Sequence, residues 1–270
     1  MFSVHDRHAG RHAALVLGHP GHELRLSGWI EKAKPVVHVL TCGSRHGASC
    51  ARTQATKRIV EDLGGTVGQL FGEILDRDFY QLVIDGKVGP FHTWADALRD
   101  AWLAAPPAFV VTDAWQFYSV THDLVHLMTR VAAAEAGMRL GQKLPCLDFA
   151  VVPPAIARQV RLGRVELQIR LSQADLERKI ALAHAYPEIT GELAEFAKAA
   201  GSEALATETL HDPPPPGRLA PAPGTIPDYE RHGASRVAAG IYSIVLRWAH
   251  VQPIYASLLK RFNAASRLAA

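Results

Sequence analysis

Cysteine is scarce in this 270-residue chain: Cys42, Cys50 and Cys146 are all there are. An odd, low count argues against a disulfide framework. Cys42 and Cys50 are too far apart for a CxxC site and read as buried thiols. Net charge is also small, +3 with histidine neutral, too mild to point to nucleic acid. No apolar run is long enough to span a bilayer. The opening MFSVHDRHAGRH carries no signal-peptide core, so a soluble, cytoplasmic protein with no membrane partner is the expectation. A GxGxxG phosphate loop is missing as well. The first strand–helix turn reads HPGHEL, which sets aside a nucleotide-binding enzyme of that kind.

What the chain does have is apolar residues, 48% of the total, and 14 histidines. The first is enough for one large domain with a packed core. The apolar run from His12 to Gly18 predicts a buried strand that stops at His19-Pro20-Gly21. Residues 23–34 have the spacing of a helix on a sheet, ended by Pro35. Val36–Thr41 is the next strand and Ala48–Leu63 the next helix, closed by Gly64-Gly65. This rhythm predicts parallel strands with right-handed crossovers. Further along, Val67–Phe71, Phe109–Thr112 and Leu147–Val152 read as strands, and Asp76–Ile84, Phe91–Ala104 and His122–Met138 as helices.

The second part differs. Val165–Leu171 alternates like a strand, and Ser172 opens a helical stretch as its cap. His211–Pro227 holds seven prolines and reads as a loop or arm. Ser235–Phe262 reads as helix broken near Pro253. The expected architecture is therefore α/β: a Rossmann-like, mostly parallel sheet flanked by helices over residues 1–155. A mainly helical extension over 156–270 packs on it.

In such sheets ligands bind beyond the carboxyl ends of the strands. Three chemically rich segments fall there: His19-Pro20-Gly21-His22-Glu23, Thr41-Cys42-Gly43-Ser44, and Asp113 with Thr121-His122-Asp123. His19 and His22, three apart across a strand-to-helix turn, can point at one ion, and His122 can complete a set of three. Three protein ligands and an open position are the usual arrangement for catalytic zinc, although imidazole also suits cobalt, nickel, copper or iron.

HPGHE after an apolar strand resembles the HPDDE signature of the LmbE/PIG-L family of metal-dependent deacetylases. The segments HPGHELR, VVHVLT-CGS, DRDFY, DAWQFYSVTHD, RKIALAHAY and YERHGASRVAAGIY resemble a bacterial branch of that family, so the likeness covers most of the chain. It implies a Rossmann-like fold and zinc-dependent hydrolysis of N-acyl groups, often on N-acetylglucosamine derivatives. Carried over by position, the metal ligands are His19, His22 and His122.

The sequence departs from the family in two places. The family's general base, the first Asp of its motif, is Gly21 here, and the histidine that helps the developing oxyanion is Ser119. Loss of a base removes about two to four orders of magnitude of rate. Asp113 and then Glu23 are the candidate replacements. As alternatives, Asp113 orients a ligand histidine and Glu23 complements a helix N-terminus. Tyr118 is a candidate phenol donor in place of the missing helper. Ser44, Arg45, Asp123 and His126 are candidate substrate contacts. Arg158, Arg161, Arg164 and Arg170 form a basic patch, read as a solvated face or as a site for an anionic group.

The expectation is a hydrolase of a C–N amide bond, most simply an N-deacetylase of an amino sugar or related polar metabolite. The tyrosine-bearing segment after the proline arm closes over the cleft or packs on a second copy of the chain. The rival expectation is a non-hydrolytic metal- and ligand-binding protein of the same fold.

Overall fold

The structure is a computed structural model and describes residues 12–43, 51–153, 155–157, 159–160, 162–186, 198 and 201–268. The strands are β1 (Ala13–Leu17), β2 (Val36–Thr41), β3 (Thr66–Ile74), β4 (Phe109–Asp113), β5 (Cys146–Phe149), β6 (Val165–Arg170) and β7 (Thr207–His211). They form one sheet in the order β3-β2-β1-β4-β5-β7-β6. The first five are parallel neighbours, while β7 joins β5 and β6 in antiparallel fashion. The expected α/β architecture is the one found.

β1 is buried on both faces, as a central parallel strand must be. Its alternation divides the core. Ala14 and Val16 face one apolar cluster, with Val110 of β4 beside them. Ala13, Leu15 and Leu17 face the other, with Phe109 and Val111. The first cluster is covered by α3 (Asp76–Ile84), α4 (Val88–Ala104), α5 (Val120–Leu140) and α8 (Trp248–Leu268). The second is covered by α1 (Ser27–Ala33), α2 (Ala51–Asp62) and α6 (Gln173–His184). Burial of each large aliphatic side chain in these layers contributes about 1.5–3 kcal/mol.

Several elements differ from the sequence expectation. The single helix expected over 23–34 is a short 3-10 turn, His22–Leu26, followed by α1. Asp113 is the last residue of β4 rather than the residue after it. β7 was not expected, since the sequence read there as the approach to the proline arm. Pro253 does not break its helix. It lies early in α8, where it forfeits only a bond to the Ala249 carbonyl. The interruption lies upstream instead, between α7 (Asp228–Ala238) and α8. Ser172 does cap α6, its Oγ accepting from the Asp175 N–H at 3.2 Å.

The chain runs outward from β1 through β2 to β3, then returns to place β4 on the other side of β1. That reversal opens a crevice at the carboxyl ends of β1 and β4. α8 is tied to α4 and α5: Arg261 Nη2 donates to Glu135 Oε2 of α5 and Asp96 Oδ1 of α4, both at 2.6 Å. No helix among the described residues is long and apolar enough to cross a membrane.

Candidate metal centre

β1 delivers His19 to the crevice, and the turn after it delivers His22. The turn needs glycine at its corner: Gly21 has φ +105°, a left-handed backbone that side chains rarely tolerate. Its N–H donates to Glu23 Oε2 at 2.7 Å, and Thr56 Oγ1 donates to Glu23 Oε1 at 2.9 Å. Arg52 Nη2 donates to the Pro20 carbonyl at 3.0 Å. Glu23 is fully buried, with both oxygens engaged in holding this turn, and burial pushes its carboxyl up to about 7.

His122 enters from the first turn of α5. The loop before it is pinned by Asp123, whose Oδ1 accepts from the Gln116 and Phe117 N–H groups at 2.9 and 3.2 Å. Phe117 is held at φ +55°, a costly conformation for a bulky residue and a mark of an over-determined loop.

The three imidazoles meet. Ring centroids are 5.4 Å apart for His19 and His22, 5.2 Å for His19 and His122, and 4.6 Å for His22 and His122. Asp113, fully buried at the end of β4, lies behind them. Its Oδ2 accepts from the Gly18 N–H at 2.8 Å and from His22 Nδ1 at 2.9 Å. A Cβ at residue 18 would sit 3.0 Å from that oxygen, so glycine permits the close approach. Among the described residues, His22, Asp113 and His122 form the one group whose ligand atoms lie within 4.8 Å of one another. His19 stands just outside that group, its Nδ1 2.8 Å from Thr41 Oγ1 and 3.1 Å from Asp76 Oδ1.

Two observations fit a metal ion. Burial, aided by the neighbouring imidazoles, holds His22 and His122 well below the usual histidine range, so both rings are neutral and carry lone pairs. Asp113 Oδ1 and His122 Nδ1 are buried with no hydrogen-bond partner, a cost that a bound cation and its water would remove. Burial also raises the Asp113 carboxyl to about 6, against the opposing pull of His122.

The remaining expected contacts are placed differently. Tyr118 stands in the loop before α5, 43% exposed. Asp123 and His126 are buried rather than open to the cleft; His126 Nδ1 lies 3.0 Å from the Asp113 carbonyl oxygen. Ser44 and Arg45 lie outside the described residues, as do Cys50, Arg158 and Arg161. Cys42 is buried and in no disulfide. Arg164 pairs with Glu166.

The site residues that sequence reasoning passed over are Asp76 and Arg52; Thr41 was expected at the strand end, though without a partner. Asp76 had a usable signal: an acid in the first turn of a helix directly after a strand, and so at the carboxyl edge of the sheet.

No protein-family model matches the chain, and no curated protein matches it. Solved structures do. A structure described as the A40926 pseudoaglycone deacetylase Dbv21 is 17% identical, with a TM-score of 0.52, over 79% of this chain and all of that one. The zinc-inhibited form of teicoplanin deacetylase Orf2 is 13% identical, with a TM-score of 0.47, over 84% of this chain and 94% of that one. An N,N'-diacetylchitobiose deacetylase from Pyrococcus horikoshii is 12% identical, with a TM-score of 0.46, over 74% and 83%. The last two superpose too loosely to bear on the fold. The first shares it.

Proposed function

We propose, from a fold shared with a solved deacetylase and a cleft of converging histidines, that this chain is a metal-dependent hydrolase of a C–N amide bond. Its substrate is an N-acylated amino sugar or a related small polar metabolite. The observation that carries this reading is the meeting of three imidazoles, two of them buried and neutral, around unpartnered Asp113 Oδ1 and His122 Nδ1.

His19, His22 and His122 would hold the ion, zinc by preference for a set of imidazoles with one position left open. When bound, the ion supplies a Lewis acid that polarises the acyl carbonyl and acidifies a water. Asp113 keeps Oδ2 on His22, which fixes that ring, and offers Oδ1 to take the proton of the attacking water. Glu23 holds the His19–His22 turn with both oxygens and is left out of proton transfer. Tyr118, in the loop before α5, would donate its hydroxyl to the substrate.

A second reading is a metal- and ligand-binding protein without hydrolysis. Gly21 favours it, because the backbone there excludes the side chain that serves the resembled family as base.

The experiment is elemental analysis of the purified protein beside His19→Ala, with N-acetylhexosamines assayed for released acetate. The hydrolase reading expects about one metal per chain, lost in the variant, and metal-dependent acetate release. Metal without turnover across the panel moves the assignment to the binding reading, and no metal in the wild type overturns both.

A further inference from the structure

Two carboxylates flank the histidine cluster from opposite sides, and only one has so far been given work. Asp113, on β4, takes His22 Nδ1 at 2.9 Å. Asp76, at the start of α3, takes His19 Nδ1 at 3.1 Å, and Thr41 Oγ1 takes the same nitrogen at 2.8 Å. Thr41 Oγ1 is itself fixed, donating to the Gly18 carbonyl at 3.0 Å. Asp76 is mostly shielded, with its side chain 14% exposed. An imidazole held at Nδ1 by an acceptor presents the Nε2 lone pair in a fixed direction and with greater basicity.

We propose that Asp76 is the positioning residue of His19: with Thr41 it fixes the ring so that Nε2 serves the cation. The proposal rests on the reading of this cleft as a metal centre. A charge count supports it. Imidazole ligands bring no negative charge to a divalent ion, and Asp76 and Asp113 supply carboxylates one hydrogen bond further out. The geometry also accounts for β3 and α3 reaching this crevice from the far side of β2.

The test is metal affinity, read by competition titration with Zn²⁺ and by the visible absorption of the Co²⁺-loaded protein. Asp76→Ala is expected to bind about 10–100-fold more weakly than wild type and to shift the Co²⁺ bands. Asp76→Asn, which keeps an acceptor oxygen and loses the charge, is expected to fall between the two; it also carries the test should Asp76→Ala fail to fold. Asp78→Asn, an exposed neighbour on the same helix, should match wild type. Because Asp76 acts through His19, adding Asp76→Ala to His19→Ala should cost nothing further.

Wild-type affinity and spectrum in both Asp76 variants, with wild type binding one ion, would overturn this proposal and leave the metal reading standing. Additive losses in the double variant would also overturn it. A wild-type protein that binds neither ion overturns the metal reading, and this proposal with it.

Discussion

Two of the buried polar clusters among the described residues are treated in opposite ways. At the antiparallel edge of the sheet, Lys179 of α6 and Glu208 of β7 form an ion pair with Nζ and Oε1 2.9 Å apart. Glu208 also accepts from the Gly28 and Trp29 N–H groups at the start of α1, at 3.0 and 2.7 Å. Lys179 donates besides to the Arg25 carbonyl at 3.1 Å. Neither side chain has a buried polar atom without a partner. At the crevice, Asp113 Oδ1 and His122 Nδ1 are buried and bare. The first arrangement is closed and ties α6 and β7 to the start of α1. The second is open, with donor atoms kept for something that is not protein. Buried polar groups are ordinarily satisfied, and at the crevice the bare ones lie in a group of potential metal ligands.

The largest effect that could break this contrast is at the crevice. His22→Ala should lose most bound metal and at least about 1,000-fold in any hydrolytic rate, following the loss of Lewis-acid and water activation. Cys42→Ser should keep both. The check is elemental analysis with acetate release, and retention of metal by the His22 variant would remove the open site from the comparison.

Asp148 sharpens the contrast from a third direction. Burial pushes its carboxyl up to about 8, against the pull of Arg130, and neither of its oxygens has a hydrogen-bond partner, with His126 Nδ1 3.7 Å from Oδ2. The folded state therefore keeps a proton that the unfolded chain releases near pH 4. Between about pH 4 and 8 the folded state binds more protons, so stability falls as pH rises, by several kcal/mol for one such group. Denaturation at pH 5 and pH 8 should show that loss in wild type and a flatter profile in Asp148→Asn. Equal slopes in the two proteins would show that the carboxyl is not held neutral.

At the closed site the effect is on folding alone. Glu208→Ala leaves a buried ammonium unpaired and the start of α1 uncapped, and should cost about 3–5 kcal/mol in chemical denaturation. If it instead costs metal and little stability, the two regions have been assigned the wrong way round. The smallest effect belongs to Arg178→Ala, which removes a solvent-exposed pair with Glu31. Less than about 1 kcal/mol is expected.

Much of the parallel half was legible in the sequence. Short apolar runs at 12–18, 36–41 and 109–112 could only be buried strands, and glycine and proline closed the elements between them. His19, His22 and His122 were legible as a set because each sits at a strand end or helix start, where one crevice gathers such residues. The strand β7, between β5 and β6, was not legible. Its residues, Thr207–His211, run into prolines, and their pairing with β6 is a contact across nearly forty residues. Asp123 and His126 looked like cleft contacts because they follow His122 on one helix. The helix turns both inward, a matter of its packing angle.

By itself, then, the sequence determined the kinds of element, the turn that needs glycine at residue 21, and the three imidazoles delivered by local geometry. Only the tertiary structure decided the partners. Asp76 to His19, Asp113 to His22 and Glu208 to α1 span 57, 91 and 180 residues. Hydrogen bonds of that reach have no local periodicity to announce them. They exist because the sheet order brings those strand ends together, and the sheet order is settled by the packing of the whole core.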